Sequence, residues 1–235
     1  AGDRGWRDRF TQESLVMLGL QAQEWGIAAQ RTVALWRVGV NDDRLKDMTA
    51  DLLSQPQGVE AFAAQVGQEK YWANAFLPWA ATAVAPPALT KVASTMARKG
   101  ARVDCGALSP RTLALVRSGR AETAAILWRN LCANGRFTQP GAFAFREDTG
   151  DDAPIGPYDW QYPEAVGLDR TFTQGKNGVV LQYRNREPLR SVIAKRNALL
   201  GPGRYVARLD GAAHAEAGFR PVVLQIVCYA KDGSA

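Results

Sequence analysis

The feature that most constrains this chain is a change of hydrophobic period near residue 132. Before it, apolar residues recur three and four positions apart, as on one face of an α-helix; after it they come in short runs broken by Gly and Pro. One kind of backbone lattice cannot serve both patterns. The sequence therefore predicts an α+β protein in two domains, 1–132 helical and 133–235 built of strands. With 46% hydrophobic and 22% charged residues over 235 positions, there is enough apolar material to pack both.

Thr11 is placed to cap a first helix with Leu15, Leu18, Ala22 and Trp25 inward, ended by Gly26. A second helix carries Ala29, Val33 and Trp36, a third starts at Asp42 with Leu45, Met48 and Leu52, and a fourth follows Pro56 with Val59, Phe62 and Val66. Tyr71 to Ala85 holds Trp72, Phe76 and Trp79, with Pro78 marking a kink or a fresh start. Pro87 suits position N1 of the next helix, Ser109-Pro110 opens another, and Arg120 to Cys132 is the last. These are eight or so short helices in antiparallel pairs. Two segments, GIAAQRTVALWRVGV from Gly26 and GRAETAAILWRNL from Gly119, both run from a glycine through small residues to Leu-Trp-Arg. Small residues let a neighbouring helix approach and Trp fills the gap beyond, so Trp36 and Trp128 read as core. The Ala124–Trp128 pair resembles the second helix of tetratricopeptide repeats.

Beyond the seam, strands are expected at 142–146, 170–173, 179–184, 191–196, 204–209 and 222–229, separated by turns such as Gly175-Lys176-Asn177-Gly178 and Gly201-Pro202-Gly203. Strands at this spacing without helices between them argue an antiparallel sandwich. Four motifs stand in order: Asn134-Gly135-x-Phe137, Pro157-Tyr158-Asp159-Trp160, Gly178-Val179-Val180-Leu181-x-Tyr183, and Leu199-Leu200-Gly201-Pro202-Gly203-Arg204-Tyr205. The series resembles that of carbohydrate-binding-module-like jelly rolls of the galactose-binding type. Joined to a tetratricopeptide-like domain, it is similar to bacterial envelope proteins, some associated with exopolysaccharide production. The resemblance implies structural roles for Asn134, Gly135, Phe137, Gly203 and Tyr205, and a periplasmic or envelope location. Such relatives often hold a structural calcium with an acid directly after N-G-x-F; here Thr138 and Gln139 stand there, against a metal or any other cofactor. The roughly 105 residues from Leu131 onward are short for eight strands, so an incomplete sandwich is expected: either the chain is a piece of a longer one or ordered only this far, or a partner covers the open edge.

The net charge of +6 is spread along both halves, without the contiguous stripe that nucleic acid requires. No apolar run approaches the roughly 18 residues of a membrane span. Cys105, Cys132 and Cys228 have no metal-site spacing and read as free thiols or as one disulfide with one cysteine over. Catalytic inventory is poor: one histidine, His214, no nucleophile elbow, and the acids Asp148, Asp151 and Asp152 in a polar loop. Binding is the remaining chemistry. Tyr158 and Trp160 supply rings suited to a sugar face while Asp159 and Arg184 supply hydrogen bonds; the same residues serve equally as core and turn elements. The expected function is a non-enzymatic envelope adaptor that binds a glycan or exopolysaccharide and docks protein through its helices. The alternative is a structural subunit using both domains as protein interfaces.

Overall fold

Among the described residues, capping and breaking residues divide the first part of the chain into eight helices. The computed structural model describes residues 8–67, 70–101, 103–133, 138, 139, 141, 143–146, 154–176, 178–187, 190–208 and 222–228. The helices are α1 Arg9–Gln21, α2 Trp25–Arg37, α3 Asp43–Leu53, α4 Pro56–Gln65, α5 Lys70–Ala83, α6 Pro86–Arg98, α7 Cys105–Arg117 and α8 Ala121–Leu131. Asp8, Asp42 and Asp104 cap α1, α3 and α7, each accepting from the backbone N–H three residues on. Pro56 and Pro86 open α4 and α6, where a missing N–H costs nothing.

Several boundaries differ from the sequence reading, among them the start of α6, where Pro86 and not Pro87 takes position N1. The cap of α1 is Asp8, and Thr11 lies inside the helix. That helix stops early because Gln23 turns left-handed (φ 58°) and the Glu24 N–H closes on the Gly19 carbonyl at 2.8 Å, so Trp25 and Gly26 begin α2. Asp104 starts α7 ahead of Ser109, leaving Pro110 inside it, and α5 runs through Pro78 without a break.

Even-numbered helices form a row: α2 packs on α4, α4 on α6, and α6 on α8, while α1 covers α2 and α3, and α7 covers α8. Gly19 is what lets α1 meet α2 closely, since a Cβ there would stand 3.2 Å from that of Ala28. Five aromatics fill the middle. Phe76 touches Trp36, Phe62, Trp72 and Trp79, with ring centroids 5.3 to 5.8 Å apart. The Trp36 indole N–H donates to Thr49 Oγ1 at 3.0 Å, so this large ring is buried with its polar atom satisfied. Trp128 is likewise buried.

The inner face of α1 is not Leu15 and Leu18. It buries Gln12, Glu13, Val16 and Gly19 and leaves Met17 and Leu18 exposed. A carboxylate can face inward here because Glu13 is paired with Arg9 (2.5 Å) and with Arg44 of α3 (3.2 Å). Other cations sit at helix C-termini of neighbours: Arg37 donates to the Gln65 carbonyl at 3.1 Å, Lys99 to Ala64 at 2.6 Å and Arg120 to Thr82 at 2.5 Å. There they meet the negative ends of helix dipoles. Part of the basic excess is therefore architectural.

After the helices, the described residues form one two-stranded antiparallel sheet, β1 Leu168–Gly175 with β2 Gly178–Asn185, in the register Phe172 opposite Leu181. The class is α+β. The sandwich expected from the sequence is not what the described residues form. The hairpin at 168–185 matches two expected strands, whereas Phe145 and Lys195 contribute only single bridges, to Val179 and Gln161. Residues 204–208 and 222–228 lack a ladder among the described residues. An alternating apolar pattern becomes a strand only where a neighbour's backbone accepts it.

The hydrophobic core runs from Val16 to Ala133 and then, among the described residues, takes in Tyr158.

Candidate functional site

The turn at 154–162 is where the two parts of the chain meet, and it holds three of the four predicted binding residues. Ser109 of α7 donates to the Ile155 carbonyl at 2.6 Å. Gly156 lies against Trp128 so tightly that a Cβ would stand 2.6 Å from its Nε1 and equally close to Asp159 Oδ2. Tyr158 then enters the core, 1% exposed, and its hydroxyl donates to the Ala121 carbonyl at the start of α8 at 2.5 Å. Tyr158 is thus the plug that fixes the turn to the helices, and the flat face expected for a sugar is not presented. Burial pushes its phenol up to about 12. Because the unfolded chain ionises first, near 10, the Tyr158 contribution to stability is complete below pH 10 and is lost as pH rises toward 12. Tyr158→Phe should remove this alkaline slope and cost about 1 kcal/mol at neutral pH for the lost hydrogen bond. Chemical denaturation of both forms between pH 8 and 11.5 checks it; parallel curves would show that the phenol is not the titrating group.

Asp159 takes the role of a turn carboxylate. Its Oδ2 accepts from the Gly156 N–H at 2.7 Å, and its Oδ1 accepts from the Thr138 hydroxyl. Thr138 also accepts from Arg146 Nη1 at 3.2 Å. Asn134, Gly135 and Phe137, for which structural roles are expected, and likewise Asp148, Asp151, Asp152 and His214, lie outside the described residues. Among the described residues no three His, Cys, Asp or Glu side chains converge.

Trp160 is half-buried in a row of rings. Its indole N–H donates to the Ala144 carbonyl at 3.0 Å. Its ring lies 4.6 Å from Phe145 and 6.4 Å from Tyr162, which in turn meets Phe172 of β1 edge-on at 5.0 Å. The guanidinium beside it belongs to Arg196, 5.6 Å from the Trp160 ring and 4.9 Å from Phe143, itself 52% exposed. Arg170 plays the same part over Tyr162 at 5.8 Å. Burial lowers the Arg196 pKa, partly offset by Asp159.

Arg184 is elsewhere. It stands opposite Asp169, on the other face of the hairpin from Phe172 and Arg170. The sequence reading missed Arg196, Arg170, Tyr162 and Phe145; strand alternation along β1 would have put Arg170 on the face of Phe172, whereas Arg196, Tyr162 and Phe145 lie outside the hairpin and give no local signal. Gly203 and Tyr205 form a local turn, with the Tyr205 hydroxyl donating to the Gly201 carbonyl at 2.6 Å.

Cys105 and Cys132 form a disulfide that joins the start of α7 to the end of α8; Cys228 is free and exposed. A second kind of surface follows the sheet. Leu199, Leu200, Tyr205 and Val206 are exposed, Val206 at 95%, and so are Val222, Val223, Leu224, Ile226 and Val227. Among the described residues, no helix is long and apolar enough to cross a membrane. Comparison with protein-family models, with curated proteins and with solved structures returns no match for this chain.

Proposed function

We propose that the chain is a non-enzymatic scaffold of the cell envelope, an adaptor or structural subunit whose helical row and exposed apolar segments are protein interfaces. One observation carries this reading. Val222 to Val227 holds five aliphatic side chains, each about half exposed or more, in a segment that is neither helix nor turn and has no ladder among the described residues. Aliphatics on both sides of one extended segment have the pattern of a strand buried on two faces. Covering this segment needs more sheet than the β1–β2 hairpin provides. We read 1–132 as a tetratricopeptide-like repeat and 133–235 as an incomplete carbohydrate-binding-module-like sandwich, completed by a partner. The Cys105–Cys132 disulfide supports an oxidising compartment such as the periplasm. No cofactor and no reaction centre enter this reading.

The test is a photo-crosslinking residue in place of Val206 or Ile226 in the native envelope. A discrete protein adduct from either position is expected; no adduct from both would remove the reading's support.

Glycan binding is the second reading, supported by Trp160 and Phe143 around Arg196. A uronic-acid polymer should then shift tryptophan fluorescence in the wild type and not in Trp160→Ala. Silence across neutral and acidic glycans alike would dispose of it.

A further inference from the structure

Two adjoining cavities open between the first helices and share Leu20 and Gln21. One, about 460 Å³, has an apolar floor of Met17, Leu20 and Met48, with Asp47, Asp51 and Arg44 at its rim. Arg44 is held by Glu13, whereas Asp47 and Asp51, one turn apart on α3, enter no ion pair among the described residues. The other, about 370 Å³, is lined by Trp25 and by the amides of Gln21, Gln23, Gln55 and Gln57. Together they make an acidic groove with an apolar floor at one end and amides at the other. Amide side chains both donate and accept, which suits a segment whose backbone groups have no ladder partners.

The chain carries such a segment itself. Residues 199–206 bend at Pro202 and Gly203, lack a ladder among the described residues, and expose Leu199, Leu200, Tyr205 and Val206 beside Arg204. The charges are complementary: helices α1 to α4 with their turns, 8–67, hold eight acids against five cations, and 168–208 holds nine cations against two acids.

The arm does not reach its own groove. Asn197 Nδ2 donates to the Pro157 carbonyl at 2.9 Å, rooting the arm beside the turn that docks on α7 and α8. The groove lies at the opposite end of the α2–α4–α6–α8 row, three helix spacings or roughly 30 Å away. The bond from Tyr205 to Gly201 folds the arm back on itself.

We propose that the occupant is a second copy of this chain, the arm at 199–206 of one copy seating in the α1–α3 groove of the next. The contact is head-to-tail, so each bound copy still offers a free groove or a free arm, and assembly continues into rings or short filaments. This rests on the scaffold reading above and names its partner.

Sedimentation velocity of the intact chain across a concentration series tests it. The wild type is expected to associate reversibly at micromolar concentrations, beyond dimer at the high end, and less so in high salt. The double variant Asp47→Lys, Asp51→Lys should weaken association about tenfold or more, and Arg204→Asp should weaken it similarly. Mixing those two variants should restore association in alternating order, because reversed groove meets reversed arm and native groove meets native arm; all three positions are exposed, and circular dichroism verifies the fold. A wild type that is monomeric throughout the series overturns the proposal, as does association that ignores both charge reversals. In that event a crosslink from Val206 to a different protein would leave the scaffold reading intact.

Discussion

Phe76→Ala is expected to lower the unfolding free energy by about 4 kcal/mol, the middle of the range for truncating a buried aromatic. Phe76 is fully buried and is the one ring in contact with each of Trp36, Phe62, Trp72 and Trp79. Its removal takes away transfer energy and also leaves a cavity. The walls of that cavity are rigid indoles on α2 and α5, which collapse poorly. Against a total stability on the order of 5–15 kcal/mol, the loss brings the helical row close to its folding threshold. Phe76→Leu keeps most of the volume and should cost only about 1.5 kcal/mol. Urea denaturation followed by tryptophan emission measures both. Equal effects would show that specific ring contacts matter less than the cluster implies.

Loss of the Cys105–Cys132 disulfide should cost about 3.5 kcal/mol on the chain-entropy account of closing a loop of this length. The two cysteines are 27 positions apart, at the open ends of the α7–α8 hairpin. For a chain of this size the melting temperature should fall by roughly 10 °C. The effect should reach past the hairpin. Tyr158, Ser109 and Trp128 all hold the 154–162 turn to these same two helices. A Cys105→Ala, Cys132→Ala variant should therefore show faster amide exchange at the turn than in α1 to α4. A uniform change across the chain would mean that the hairpin and the turn do not form a local unit.

The helices were legible because capping aspartates, N1 prolines and the 3.6 period are local signals, and α3 and α4 begin where Asp42 and Pro56 place them. The face of α1 was not legible. The run Leu15-Val16-Met17-Leu18-Gly19-Leu20 is apolar all round, so its period is weak, and the burial of Glu13 depends on Arg44, which is brought in only by α3. The choice of Arg184 over Arg196 failed for a related reason. Side chains in a strand alternate faces, so only the register with Asp169 tells which face Arg184 takes. Tyr158 and Asp159 were identified as important from a Pro-bounded turn with an acid between two rings. What local pattern could not say is that the tyrosine would point into the helical core and the acid would bond the Gly156 N–H.

The account stands on the apolar segments 199–206 and 222–227 being interfaces toward other molecules. Hydrogen–deuterium exchange measures this most directly, comparing dilute isolated chain with the assembled protein. The expected result is fast exchange at both segments in the dilute chain and slow exchange at one or both after assembly. Slow exchange already present in the dilute monomer would place them in an intramolecular sheet and contradict the account.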